Sequence, residues 1–281
     1  MPVIRPMGAE DVDAAFALMV ATFDDLSRRH HEDPGPPPDP AVATKRFHHL
    51  VGTDPDGAWV AEDESGLAGC AMATLREGIW GLSLLVVRPG AQSSGLGREL
   101  LRRAHDYGDG ARGRIILSSQ DPRAMRAYFR LGLEVHPALY ACGEPRGVQV
   151  PSGIREGTVE DVPFTERIDR HVRGAAHGSD IEALLDMGQT LLIARDGYAV
   201  HGGGEVRLLA ARDEDTARSL LRAALAGADG EATVSWLTAR QQWAVEVCLE
   251  AGLRLRADAG AVFLGGDVGR FSPYLPSGAF L

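Results

Sequence analysis

Gln92-Ser93-Ser94-Gly95-Leu96-Gly97 stands between an apolar run, Leu84 to Val87, and a stretch of helical periodicity, Leu96 to Tyr107. A strand, a glycine-rich loop and a helix in that order line up backbone N–H groups at a helix N-terminus, where the helix dipole adds positive potential. Glycine lets the backbone approach an anion with no Cβ in the way. Such a loop suits a phosphate or pyrophosphate. A second use stays open, a helix-start turn whose glycines serve packing alone. No Gly-Lys-[Ser/Thr] follows, so the loop is not a Walker A sequence. It does not match a dinucleotide fingerprint well either: that is Gly-x-Gly-x-x-Gly after the first strand, and this loop follows the fourth.

Other reactive residue types are sparse. Cys70, Cys142 and Cys248 lie far apart and form neither a disulfide scaffold nor a Cys-x-x-Cys metal site. Cys70 sits in an apolar strand and reads as core. His48 and His49 are adjacent, so on a helix they point apart and make no i, i+4 metal pair. No metal is expected.

The elements around the loop repeat. Ile4-Arg5 with Glu10-Asp11-Val12 recurs as Ile154-Arg155 with Glu160-Asp161-Val162, 150 residues on. Leu84-Leu85-Val86-Val87-Arg88 recurs as Leu208-Leu209-Ala210-Ala211-Arg212 at an offset of 124. Leu100-Leu101-Arg102 and Gly132-Leu133 recur as Leu220-Leu221-Arg222 and Gly252-Leu253 at an offset of 120. The order and the shrinking offset indicate a duplication. The second copy loses residues mostly where the first has the run Asp33-Pro34-Gly35-Pro36-Pro37-Pro38, which reads as an exposed loop. It loses four more within the glycine loop, where it has Asp213-Glu214-Asp215-Thr216.

Periodicity predicts, in the first copy, strands at 3–5, 58–61, 67–75, 80–87, 114–117 and 133–142. Helices are expected at 11–23, 41–51, 96–107 and 123–131. In the second copy helices are expected at 159–172, 214–226 and 239–251, and strands at 191–194, 205–210, 232–237 and 261–264. The fold class is therefore mixed α+β, as two tandem domains, 1–145 and 152–281, joined through the Gly- and Pro-rich segment 143–153. Each is expected as a mostly antiparallel twisted sheet flanked by helices.

Composition narrows the function classes. The 281 residues suit one large or two ordinary domains, and 44% hydrophobic with 24% charged residues is ordinary for a globular chain. A net charge of −10 argues against a broad nucleic-acid footprint and mildly favours a cationic substrate. No apolar run approaches the ~20 residues of a bilayer span. The start, Met1-Pro2-Val3-Ile4-Arg5, has no signal pattern, so a cytoplasmic location is expected, with no membrane partner.

Two motifs carry a resemblance. Val87-Arg88-Pro89 precedes Gln92-x-x-Gly95-x-Gly97, and one strand later comes Ala124-Met125-Arg126-Ala127-Tyr128-Phe129-Arg130-Leu131-Gly132-Leu133. The chain resembles the GNAT acyltransferase superfamily, whose patterns are [Gln/Arg]-x-x-Gly-x-[Gly/Ala] after Val-x-Pro, and Ala-x-x-x-Tyr-x-x-x-Gly-[Phe/Leu]. The likeness covers about residues 3–142 and, as a degenerate copy, 154–264. It implies acetyl-CoA or a related acyl-CoA as co-substrate, without a metal. Backbone groups of Leu85, Val86 and Val87 would hold the pantetheine arm and thioester. N–H groups of Gln92, Ser93, Ser94, Gly95, Leu96, Gly97 and Arg98 would hold the pyrophosphate. The Arg98 side chain either adds charge there or is a solvated helix residue.

The implied reaction is acetyl transfer to a primary amine by direct attack on the thioester, in an N-acetyltransferase. Tyr128 matches the family's general acid; its other reading is a core aromatic. Glu77 is a candidate base acting through water, or a plain turn carboxylate. Asp24, Asp25, His30 and His31 fall where the family covers its acceptor, or form a solvated polar loop. The expected partner is a small-molecule or peptide amine acceptor, with a homodimer left open. In the second copy Cys248 replaces Tyr128 and is either a catalytic thiol or, in its apolar helix stretch, core, while His177 and His201 flank glycines and either line a site or are loop histidines without ligand partners. The competing class is a non-catalytic acyl-CoA-binding or interaction protein. The apolar C-terminal tail, Phe271 to Leu281, is expected to lie extended in a groove between the domains, or to form a last edge strand.

Overall fold

The computed structural model describes residues 2–31 and 38–281. Of the proline-rich run only Pro38 is among them, and it is exposed; the rest lies outside the described residues. The chain forms two compact units, Met1–Ala111 and Arg112–Leu281. The expected boundary at 143–153 thus falls inside the second unit.

In the first unit β1 (Val3–Pro6), β2 (Ala58–Asp63), β3 (Gly66–Arg76) and β4 (Ile79–Val87) pair antiparallel in that order. Helices α1 (Val12–Arg29) and α2 (Pro40–Thr53) precede β2, and α3 (Leu96–Asp106) follows β4. Local chemistry sets the turns. Ser65 N–H bonds the Asp63 carboxylate, and Gly66 takes a φ of 94° between β2 and β3. Asp39 caps α2 through the Ala41 N–H at 2.9 Å, with Pro40 at its first position. Helix α3 buries Leu96, Leu100, Leu101 and Ala104. Gly69 on β3 admits it: a Cβ there would stand 2.6 Å from Leu100. Helix α1 runs a further turn and a half past the expected end at Phe23, to Arg29.

The second unit holds β5 (Gly113–Ser118), α4 (Pro122–Phe129), β6 (Glu134–Pro137), β7 (Leu139–Gly143) and β8 (Arg155–Glu156). Next come α5 (Val162–Val172), α6 (Ser179–Asp186), β9 (Thr190–Ala194), β10 (Gly197–Gly202) and β11 (Glu205–Ala211). Then follow α7 (Glu214–Ala226), β12 (Ala232–Leu237), α8 (Gln242–Glu250), β13 (Arg254–Arg256), β14 (Ala261–Gly266) and β15 (Tyr274–Leu275). The architecture is mixed α+β, as expected. The single strand expected over 133–142 is two strands, broken at Ala138.

That break lets the two copies exchange strands. β14, from the second copy, lies antiparallel between β5 and β6 of the first. β7, from the first copy, lies antiparallel between β12 and β13 of the second. The larger sheet runs β13-β7-β12-β11-β10-β9-β8.

The duplication is visible atom by atom. Arg5 forks onto both oxygens of Asp11 at 2.7 Å, and Arg155 onto both of Asp161 at 2.5 and 2.9 Å. Those carboxylates also accept the N–H of Gly8 and of Thr158. The Arg155 bond holds Asp161 down to about 2. In the β3–β4 ladder Met72 faces Leu84 and Ala73 faces Leu82, which leaves Ser83 as a bulge. In the β10–β11 ladder Val200 faces Leu208 and His201 faces Val206, which leaves Arg207. The two bulges stand 124 residues apart.

Candidate active site

Strand β4, its exit loop and the start of α3 build the first part of the site. Arg88 N–H bonds Ala68 O at 2.9 Å on β3. Antiparallel strands alternate the direction of their backbone groups. Val86 therefore also faces β3, while Leu85 and Val87 direct their N–H and C=O groups to the opposite edge of β4. Upstream, Arg46 of α2 donates from Nη2 to both Ser83 O and Ser83 Oγ at 2.6 Å. Arg46 thus ties α2 to the bulge in β4. Neither Ser83 nor Arg46 stands out in the sequence, because a bulge depends on register with another strand.

The Gln92 amide folds back onto Val87 O at 2.9 Å, tying the loop to the strand. Ser93 has a φ of 63° and Gly95 a φ of 93°, so two left-handed residues reverse the chain in three positions. Ser94 Oγ bonds Ala91 O at 2.7 Å. Among the described residues the N–H groups of Ser93, Ser94, Gly95, Gly97 and Arg98 meet no acceptor. They lie in and beside an exposed loop at the N-terminus of α3. The Arg98 guanidinium passes 3.8 Å from where a Gly95 Cβ would stand and makes no ion pair among the described residues. The nearby Glu99 is engaged by Arg102 and Arg103, and the Arg102 bond holds it down to about 2. Gly97 packs on Val87, where a Cβ would approach Cγ2 to 3.3 Å. Gly97 therefore serves packing, and left-handed Gly95 stands among the open backbone donors.

The second copy closes the equivalent site. Asp213 caps α7, its Oδ1 accepting the Thr216 N–H at 2.8 Å and its Oδ2 the Thr216 hydroxyl at 3.0 Å. A fixed carboxylate stands where the first copy has open donors, and it repels a phosphate.

Tyr128 lies on α4 in the second unit, 5% exposed, its ring edge-on to Phe263 at 5.6 Å. Its hydroxyl makes no hydrogen bond among the described residues. Burial, with help from the Asp121 charge, pushes it well above the usual phenol range. It is core-packed and, at neutral pH, a protonated donor.

Glu77 is not brought to Leu85. It sits exposed at the tip of the β3–β4 hairpin with a φ of 46°. Eight residues of strand at ~3.3 Å each put it about 25 Å from Leu85. Sequence proximity misled here because β4 is extended. Asp24 and Asp25 pair with Arg28 and Arg29 one turn on, at 3.7 and 3.0 Å. Burial pushes the Cys70 and Cys248 thiols up to about 12, so both are protonated core residues. His177 is the surprise: it is buried and held by Asp169 and Tyr274, not a loop histidine without partners. Among the described residues no group of three His, Cys, Asp or Glu is placed to hold a metal, and no helix is long and apolar enough to cross a membrane.

Comparison with known proteins bears on this geometry. Residues 20–133 match the model of the acetyltransferase (GNAT) family. That match spans less than half of the chain. No curated protein matches the chain. Among solved structures, a candidate acetyltransferase from Pyrococcus horikoshii is 17% identical with a TM-score of 0.82, covering 100% of this chain and 96% of that one. A GCN5-related N-acetyltransferase from Sphaerobacter thermophilus is 15% identical with a TM-score of 0.59, covering 95% and 96%. A tandem GNAT protein from the clavulanic acid biosynthesis pathway is 13% identical with a TM-score of 0.58, covering 95% and 99%. At these identities the likeness is one of fold, and it extends over nearly the whole chain. The matched segment contains the bulged strand, the donor loop and Tyr128.

Proposed function

We propose that the chain transfers an acetyl group from acetyl-CoA to a primary amine, using the first copy's donor loop. The supporting observation is the contrast between the two helix starts. Five loop N–H groups and the unpaired Arg98 face solvent at α3, while Asp213 blocks the same place at α7. The residues fit a pyrophosphate: the donors are backbone, the cation is unpaired, and left-handed Gly95 keeps the surface low.

Acetyl-CoA supplies an activated thioester. The loop from Ser93 to Arg98 binds its pyrophosphate. The outward edge of β4 at Leu85 and Val87 orients the arm, and an outward N–H there stabilises negative charge developing on the carbonyl oxygen as the neutral amine attacks. When the C–S bond breaks, Tyr128 gives its proton to the departing thiolate. Strand β4 itself carries no carboxylate to serve as base, and on this reading the amine arrives neutral or loses its proton to solvent. That same lack favours a second reading, an acyl-CoA-binding protein without turnover.

A panel of amines (amino acids, polyamines, aminoglycosides, peptide N-termini) assayed for release of the CoA thiol separates the two. Amine-dependent release that saturates in both substrates is expected. Tight acetyl-CoA binding with no amine raising thiol release above hydrolysis would establish the binder instead.

A further inference from the structure

The second copy retains the GNAT-like cleft edge but has filled it. β11 and β12 pair in parallel only at Glu205–Thr233 and Val206–Val234. Beyond that point β11 turns its free edge to β15, which also lies against β12. Leu209 registers with Leu275 and Ala210 with Tyr274, and Ala211 N–H bonds Pro273 O at 3.2 Å. Leu209 and Ala211 are the 124-residue counterparts of Leu85 and Val87. Arg212 N–H bonds Asp196 O on the β10 side, as Arg88 N–H bonds Ala68 O on β3. The same two positions therefore point outward in both copies. In the first they are the positions assigned above to the pantetheine arm. In the second they face a peptide.

The tail is seated by specific contacts along its length. Phe271 N–H bonds Val172 O, and Phe271 O accepts the Gln241 amide, both at 3.0 Å. Tyr274 donates to His177 Nε2 at 3.3 Å, and His177 Nδ1 lies 2.9 Å from Asp169, which also accepts the Tyr198 hydroxyl. Burial keeps His177 below its usual range, and therefore neutral and able to accept at Nε2. Phe271, Tyr274, Leu275 and Phe280 are all 0–1% exposed.

We propose that the second copy's cleft is a binding site for an extended peptide, occupied in this chain by its own residues 271–275, with Tyr274 as the recognised side chain. Backbone pairing along Leu209–Ala211 supplies affinity, and the Asp169–His177 pair reads the tyrosine hydroxyl at the cleft floor. The comparison with the pantetheine arm rests on the donor-site reading above. The tail itself does not lie in a groove between domains but within the second unit.

The test inserts a protease-cleavage sequence between the exposed residues Gly269 and Arg270 and cuts the folded, full-length protein. The 270–281 peptide should stay bound through gel filtration. Labelled synthetic peptide should exchange in at one per chain, and a Tyr274→Ala peptide should compete at least about tenfold less well. Early loss of the peptide with no change in melting temperature, or equal competition by the two peptides, would overturn the proposal. Displacement of labelled peptide by millimolar acetyl-CoA would also overturn it, since the cleft would then still take the arm. An acetyl-CoA titration showing no binding, with the peptide retained, would remove the donor-site reading and leave the peptide cleft standing.

Discussion

Tyr128 offers a clean substitution because its hydroxyl makes no hydrogen bond among the described residues and its ring contact with Phe263 survives in phenylalanine. Tyr128→Phe should therefore fold and bind acetyl-CoA as before, yet lower kcat by about 10²–10⁴-fold, the usual worth of a general acid. A kcat within about twofold of the parent would remove Tyr128 from the mechanism. Its raised range also fixes a sign in pH. The neutral donor persists to higher pH than a free phenol, so the rate should climb with amine deprotonation and show no break near ~10. At the residue scale the glycine loop and the recurrence of Arg5 with Asp11 as Arg155 with Asp161 are legible as local patterns, while the Arg–Asp forks themselves emerge only in the structure. Of the two readings of Glu77 the structure fits the turn carboxylate, and His177 is buried rather than lying open in a loop; both outcomes depend on where a strand end or a tail arrives from elsewhere in the chain.

Strand exchange governs the element scale. β14 contributes Val262, Phe263 and Leu264, all buried, between β5 and β6. Full burial of three such side chains stabilises by roughly 5–9 kcal/mol, which rivals the ~5–15 kcal/mol of a whole domain. Residues 1–150 expressed alone should therefore lack a cooperative thermal transition, and so should 151–281, which would lose β7. Coexpression of the two pieces should restore the transition. A first piece melting at the temperature of the intact chain would show that the exchanged strands are dispensable. Periodicity located most strands and helices, because a 2.0 or 3.6 repeat is local. It missed β8, β10, β13, α6 and the break at Ala138. Pro137, which offers no N–H, was the one available hint that the run 133–142 could not be a single central strand.

For the whole molecule, duplication has produced two copies built alike that differ at one helix start. The Arg–Asp forks and the bulges at Ser83 and Arg207 are kept, while the helix starts have diverged from an open glycine loop to a capped Asp213. The sequence disclosed that divergence because glycine and aspartate act through local backbone chemistry. It did not disclose the tail's destination, since five apolar side chains state that they must be buried and not where. Calorimetric titration of the intact chain with acetyl-CoA tests the central claim most directly. One site per chain is expected, lost in Gly95→Asp, which sets a carboxylate and a Cβ in a left-handed position against the pyrophosphate. Two equivalent sites, or unchanged affinity in Gly95→Asp, would contradict it.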